Sequence, residues 1–323
     1  MIPLRDTIQS RNYPVVNTII IGLNTCVYLL ELNQGTRFNE FIFTYGLVPA
    51  RYSVPQIGAY FSTTQQVVAL FTFMFLHGGF WHLLGNMWFL YIFGDNVEDR
   101  LGPLRYLVFY LACGIASGLF HLVIQWHSRV PTIGASGAIA GVMGAYFILY
   151  PKSRILTLIP IFFLPYLIEI PAFFFLAVWF LIQFISATSG PAQAGGIAWW
   201  AHIGGFVFGL IFMKILMNIP QIGITSRLRP AVPKGKTHRL QVLRTFGSVD
   251  DPHLYGTLTI SAAEARRGTR KLIRVPWGIH KRLLRVTVPA GLKDGTVLRL
   301  AGMGKQIGDA ESGDLMLTVS IHS

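Results

Sequence analysis

TIGASGAIAGVMGAY, at residues 132–146, sets one serine among glycines and carries no charge. Such a run reads in two ways: as a row of small residues that lets membrane helices approach closely, or as a nucleophile held at a helix end. The surrounding chain has to separate them. Hydrophobic residues make up 52% of the 323 residues, and the mean hydropathy is +0.51. That is well above the range of a soluble globular chain.

Apolar runs long enough to span a bilayer, about 20 residues each, begin near Val15, Trp81, Leu104, Gly134, Pro171 and Trp199. The expected fold of residues 1–218 is therefore an all-α polytopic membrane domain of six transmembrane helices. The opening segment MIPLRDTIQSRNYP has no small-residue cleavage site, so the first helix is expected to be retained. Arg5, Arg11, Arg100, Arg105, Lys152 and Arg154 fall on one set of loops. By the positive-inside rule both termini are then cytoplasmic, and a cell (inner or plasma) membrane is the expected location. The loop ATSGPAQAGGIA before the last span is uncharged and is expected to act as a mobile cap over the site. Cys26 and Cys113 both lie in spans, and neither a disulfide framework nor a metal site follows from them.

Polar groups at membrane depth are costly, so each one is a functional candidate. His82 and Asn86 are four apart in HGGFWHLLGN and share one helix face. Ser136 and His202, the latter in WWAHIGGFVFG, lie near the starts of other spans. All four are expected at one depth, in the outer part of the membrane. Ser136 needs a base to become a nucleophile, and His202 is the neutral-pH base available there. His82 and Asn86, with the free backbone N–H of Ser136 in the first turn of its helix, read as donors to a developing oxyanion. Gly205 and Gly209 beside His202, and Gly137, Gly141 and Gly144 after Ser136, would let the two helices approach closely. Phe175 and Trp179, four apart on the fifth span, are candidates for a lateral substrate gate or for a lipid-facing aromatic face. The zinc motif H-E-x-x-H is absent, and so is the nucleophile elbow G-x-S-x-G.

In order and spacing, FTFMFLHGGFWHLLGNMWFLYIFGDNVEDRLGPLRY, IGASGAIAGVMGAY and AHIGGFVFG resemble the rhomboid intramembrane serine proteases over residues 1–218. The resemblance implies Ser136 as nucleophile, His202 as general base without an acidic third member, and His82 and Asn86 at the oxyanion. It also assigns Gly134 to the serine loop and Gly205 and Gly209 to packing of the histidine helix. No cofactor is implied. Two departures stand out: Ala140 occupies the position where some members stack a tyrosine on the histidine, and no Trp-Arg pair lies between Asn33 and Leu76.

Charge divides the chain further. Residues 1–218 hold ten Lys and Arg against seven Asp and Glu, whereas residues 219–323 hold seventeen against seven. Residues 219–249 read as a basic, Pro- and Gly-containing linker, and residues 250–323 as a small all-β sandwich facing the cytoplasm. Its strands are YGTLTIS, TRKLIRVP, LLRVTVP, TVLRLAG and DLMLTVSI, with AAEARRG as one or two helical turns. ISAAEARRGTRKLIRVP, VTVPAGLKDGTVLRLAGMG and GDLMLTV resemble the C-terminal substrate-binding domain of DnaJ-type co-chaperones, without the His-Pro-Asp signature or zinc module of those proteins. The partners implied are transmembrane protein substrates, the lipid bilayer, and a cytoplasmic peptide or chaperone partner of the β domain, with no nucleic acid. The expected function is intramembrane serine endopeptidase. Its rival is a catalytically inert membrane adaptor that binds clients through the β domain.

Overall fold

The computed structural model describes residues 2–8, 10, 12–161, 164–189, 197–220, 237, 240–243, 245–246, 251–277, 280–306 and 312–322. The chain divides into two compact units, one of Met1–Ile8 with Pro14–Ala231 and one of Gln9–Tyr13 with Val232–Ser323.

The first unit opens with strand β1 (Ile2–Asp6) and helix α1 (Val15–Leu32). The loop that follows holds α2 (Phe38–Tyr45), the single turns α3 (Ala50–Ser53) and α4 (Pro55–Gly58), and α5 (Thr63–Thr72). Next come α6 (Phe80–Leu101), α7 (Pro103–Ile124), α8 (Ser136–Leu149), the hairpin β2 (Arg154–Ile161) and β3 (Leu164–Pro171), α9 (Ala172–Ser189) and α10 (Trp199–Asn218). Helices thus stand at all six expected places. Among the described residues, α1, α7, α9 and α10 are long and apolar enough to cross a membrane, and a fifth span results if the α5–α6 pair, bent by 73°, is counted as one. The count of six does not follow from these lengths. Helix α8 has 14 residues, and α6 carries Asp95, Glu98, Asp99 and Arg100 in its last two turns.

Those charges have structural duties. Glu98 accepts hydrogen bonds from the backbone N–H groups of Val16 and Asn17 at 3.0 and 2.7 Å. It caps the start of α1, where a carboxylate also meets the positive end of the helix dipole. Nearby, Asp6 accepts from the Tyr146 hydroxyl at 2.6 Å and from Asn96 at 2.7 Å. This network ties α6 and α8 to β1, which pairs antiparallel with β2 in a three-stranded sheet ordered β1-β2-β3. The sequence reading did not anticipate this sheet.

The long loop after α1 is held without a Trp-Arg pair. Arg51 is 2% exposed; its guanidinium lies 3.7 Å from the centroid of the Phe61 ring and donates to the carbonyls of Phe43 and Thr44. A cation over an aromatic face is strongly favoured when it is removed from water. Leu47 bridges to Thr132 and so ties this loop to the segment that enters α8. Ser62 and Gln65 form a capping box that starts α5.

The second unit has two three-stranded sheets, ordered β4-β6-β7 and β5-β9-β8. Their strands are β4 (Leu240–Val242), β5 (Leu254–Ser261), β6 (Thr269–Trp277), β7 (His280–Val288), β8 (Val297–Leu300) and β9 (Leu315–His322). Leu258, Ile260, Ile273, Val275, Leu317 and Val319, all buried, supply the core between them. The AAEARRG stretch forms α11 (Ala262–Arg267), started by a Ser261–Glu264 capping box. The five expected strands are all present. The β unit begins earlier than residue 250, however, because β4 pairs parallel with β6 and Phe246 bridges to Tyr255. Leu240, Gln241 and Val242 therefore belong to a sheet and not to a linker; three residues are too short a run to announce a strand by alternation. Most of the rest of the expected linker lies outside the described residues.

Candidate active site

The first unit gathers the starts of three helices at one place. Ser136 is the first residue of α8, His82 lies in the first turn of α6, and His202 in the first turn of α10. The side-chain oxygen of Ser136 stands 2.8 Å from His202 Nε2. His202 Nδ1 in turn lies 2.7 Å from Gln183 Oε1, on α9.

Glycine makes this approach possible. A Cβ built on Gly205 would collide with the carbonyl oxygen of Gly137, and one on Gly209 with that of Gly141. Helices α8 and α10 therefore meet backbone to backbone, as small residues on both faces allow. On its other side α8 meets α7, where a Cβ at Gly137 would strike Ser117 and one at Gly141 would strike Cys113. Gly144 faces the Phe206 carbonyl in the same way.

Gly134 does a different job. Its φ of +122° is a conformation that side chains disfavour. A Cβ there would lie 2.8 Å from His82 Nε2 and 3.6 Å from Ser136 Oγ. Gly134→Ala is expected to displace His82 and to lower the rate of any reaction at Ser136 by about 10-fold or more, since misplacing a group by about 1 Å can cost 10²-fold. The measurement is the rate of covalent labelling at Ser136 in variants of equal melting temperature; wild-type labelling would refute the tight fit.

Ser136, His202, His82 and Asn86 all line one cavity of about 760 Å³. Asn86 is 8% exposed, and its Nδ2 has no hydrogen-bond partner among the described residues. An unmet amide donor in a cavity beside a hydroxyl is the kind of group that a developing oxyanion would satisfy. His82 Nδ1 accepts from the backbone N–H of Gly78 at 3.3 Å, which turns the imidazole toward the Gly134–Ser136 loop.

The two aromatic residues on α9 part company. Phe175 is 4% exposed, with its ring 6.5 Å from that of Phe93; it is core and faces neither lipid nor cavity. Trp179 lines the cavity, and its ring lies 6.1 Å from the His202 imidazole. The loop expected to act as a cap lies for the most part outside the described residues. His77, just before α6, is fully buried, and its backbone N–H donates to both oxygens of Glu31 at 3.0 and 3.1 Å. Two residues escaped the sequence reading: Gln183, which lines the cavity, and Glu31, which holds the His77 backbone. Gln183 is the one amide side chain of α9 and Glu31 the one charged side chain of α1, the same kind of signal that pointed to Ser136.

Residues 64–219 match the Rhomboid domain. That match lies within the helical unit, which is thus similar to the rhomboid family. Residues 254–323 match the DnaJ C terminal domain, so the β unit carries the second resemblance. Among curated relatives, Rhomboid protein 1, mitochondrial, of Saccharomyces cerevisiae is 29% identical over 206 residues, which cover 60% of this chain and 51% of the relative. RHOMBOID-like protein 6, mitochondrial, of Arabidopsis thaliana is 32% identical over 157 residues, covering 48% and 45%. RHOMBOID-like protein 1 of the same plant is 30% identical over 176 residues, covering 53% and 41%. The chain spans about half the length, or less, of these relatives. A multi-pass membrane protein follows from the apolar helices together with these matches. The mitochondrial names among the relatives lend no support to the plasma membrane expected from the sequence, nor do they fix which side the termini face.

Proposed function

We propose that this protein is a serine endopeptidase that cleaves membrane-spanning segments of other proteins by a Ser136–His202 dyad. The observation that carries the reading is the 2.8 Å approach of Ser136 Oγ to His202 Nε2 at the start of two helices. The cavity they line and the unmet Asn86 amide support it. Helix α8, at 14 residues, is about 21 Å long, some 10 Å short of a bilayer's hydrocarbon thickness. A nucleophile at its start lies below the membrane surface, within reach of the end of a spanning segment.

The chemistry follows from the pair. Ser136 Oγ attacks the scissile carbonyl carbon while His202 Nε2 takes the hydroxyl proton. The charge that collects on the carbonyl oxygen is met by Asn86, His82 and the backbone N–H of Ser136. His202 passes its proton to the leaving nitrogen, the C–N bond breaks, and an ester to Ser136 remains. Water then attacks the ester, with its proton taken by His202 and returned to Oγ. A helical substrate hides its peptide bonds in its own hydrogen bonds, so segments with small or helix-breaking residues near one end are the favoured substrates. Of the two α9 aromatics, Trp179 is the one suited to an entry role. The β unit, by its resemblance, would hold a peptide, a partner or the extramembrane part of a substrate.

The test is labelling of the detergent-solubilised protein with a serine-reactive fluorophosphonate. The expected result is that wild type labels and that Ser136→Ala and His202→Ala do not. Folded wild type that fails to label would overturn the protease reading and favour an adaptor that works through its DnaJ-like domain.

A further inference from the structure

We propose that Gln183 is the positioning residue of the dyad: it holds His202 in the tautomer whose Nε2 can accept the Ser136 proton. The inference rests on the protease reading above. Gln183 sits on α9 and is 5% exposed. Its amide nitrogen Nε2 donates to the Trp179 carbonyl at 3.3 Å. A carbonyl only accepts, so the amide cannot be turned the other way without setting two oxygens against each other. Its Oε1 therefore faces His202 Nδ1, at 2.7 Å. An amide oxygen also only accepts, so Nδ1 must carry the proton. In a neutral imidazole the lone pair then falls on Nε2, 2.8 Å from Ser136 Oγ.

The surroundings fit this division of labour. The Trp179 and Trp199 rings lie 6.1 and 6.0 Å from the imidazole, at interplanar angles of 32° and 88°. They limit the ring's tilt but offer Nδ1 no acceptor. Ala140, the nearby α8 residue facing Gly205, presents only a methyl group. A carboxylate in Gln183's place would fix the same tautomer, but it would put a charge in an apolar helix at considerable cost. An amide fixes it without that cost.

The test uses the full chain in detergent and compares wild type, Gln183→Met and Gln183→Glu, with Ser136→Ala as the blank. Methionine keeps the length and loses the strong acceptor, whereas a glutamate side chain presents an oxygen to Nδ1 whether ionised or not. Two readouts are taken: the rate of fluorophosphonate labelling across pH, and nitrogen NMR of histidine-labelled protein, which reports which ring nitrogen of His202 bears the proton. Gln183→Met is expected to label roughly 10- to 100-fold more slowly, the range that hydrogen-bond partners of functional histidines supply, and to lose the preference for the proton on Nδ1. Gln183→Glu is expected to restore both. Labelling of Gln183→Met at the wild-type rate, or an Nδ1 proton retained in that variant, would overturn the proposal, as would a folded Gln183→Glu that performs no better than Met. Failure of wild type to label sinks the protease reading instead, and the NMR comparison still decides whether Gln183 sets the tautomer.

Discussion

Gly205→Val is expected to abolish labelling at Ser136 and to lower the stability of the helical unit. The carbonyl of Gly137 stands where the first carbon of any side chain at residue 205 would go. The obstacle is backbone within the next helix, so no rotamer change can relieve it. Helix α10 would have to move away from α8, and the 2.8 Å bond between Ser136 and His202 would open with it. Overpacking a well-filled interior typically costs 1–3 kcal/mol, and a separation of about 1 Å in a reacting pair can cost 10²-fold in rate. Rate is therefore expected to suffer more than fold. Measuring labelling and melting temperature side by side tests this; a folded variant with wild-type labelling would mean that the two helices do not need their backbone approach. Gly209→Val, one turn further along the same contact, is expected to act in the same direction.

The Gly205 contact was legible in the sequence because it depends on two regular periods. Glycines spaced by three and four residues line one helix face, and both glycine rows begin beside a polar residue that an apolar segment does not otherwise tolerate. For the same reason Ser136, His202, His82 and Asn86 group together on sequence alone. Gln183 was equally polar and equally isolated. What marked it was its partner, and a partner on a neighbouring helix has no signature in the local pattern.

The β1-β2-β3 sheet escaped for a similar reason. RILTLIPIFFLPYLIEIP reads as apolar chain leading into a span, and the strand that completes its sheet lies about 150 positions earlier, with Ile2 opposite Leu158. Pairing over that distance is settled by tertiary structure. The β unit was easier, since its longer strands alternate and are divided by Gly, Pro and Asp. Its leading strand β4, three residues long, was absorbed into the linker. The limit on counting spans is physical too: α6 trades apolar length for Asn96 and Glu98, which bond Asp6 of β1 and the start of α1 and not the lipid.

Lys271→Met is expected to destabilise the β unit by about 3–5 kcal/mol, the usual cost of removing one partner from a buried ion pair. Lys271 and Glu264 are 1% and 6% exposed, and Lys271 Nζ lies 2.5 Å from Glu264 Oε1. Nζ also donates to the hydroxyl and carbonyl oxygens of Thr237 at 2.7 and 3.0 Å, while Glu264 Oε2 accepts from the Thr237 N–H and hydroxyl at 3.0 and 2.8 Å. The pair therefore holds Thr237 against α11 and β6, three residues before β4. Methionine would fill the space of the lysine stem but leave Glu264 buried without its cation. Burial pushes the Glu264 carboxyl upward; hydrogen bonds from Lys271, Ser261 and Thr237 outweigh this and leave its pKa below the ordinary value of 4.5. A carboxyl depressed in the folded state contributes stability above the unfolded-state pKa and loses it as pH falls through the lower, folded value. The β unit of the full chain is thus expected to resist urea equally well at pH values above about 5 and to weaken steadily below about 4.5. In Glu264→Gln that acid loss should flatten, because the group no longer titrates. Hydrogen exchange of the β5, β6 and β9 amides in urea would follow both effects; an Lys271→Met variant as protected as wild type would show that the pair contributes no net stability where it stands.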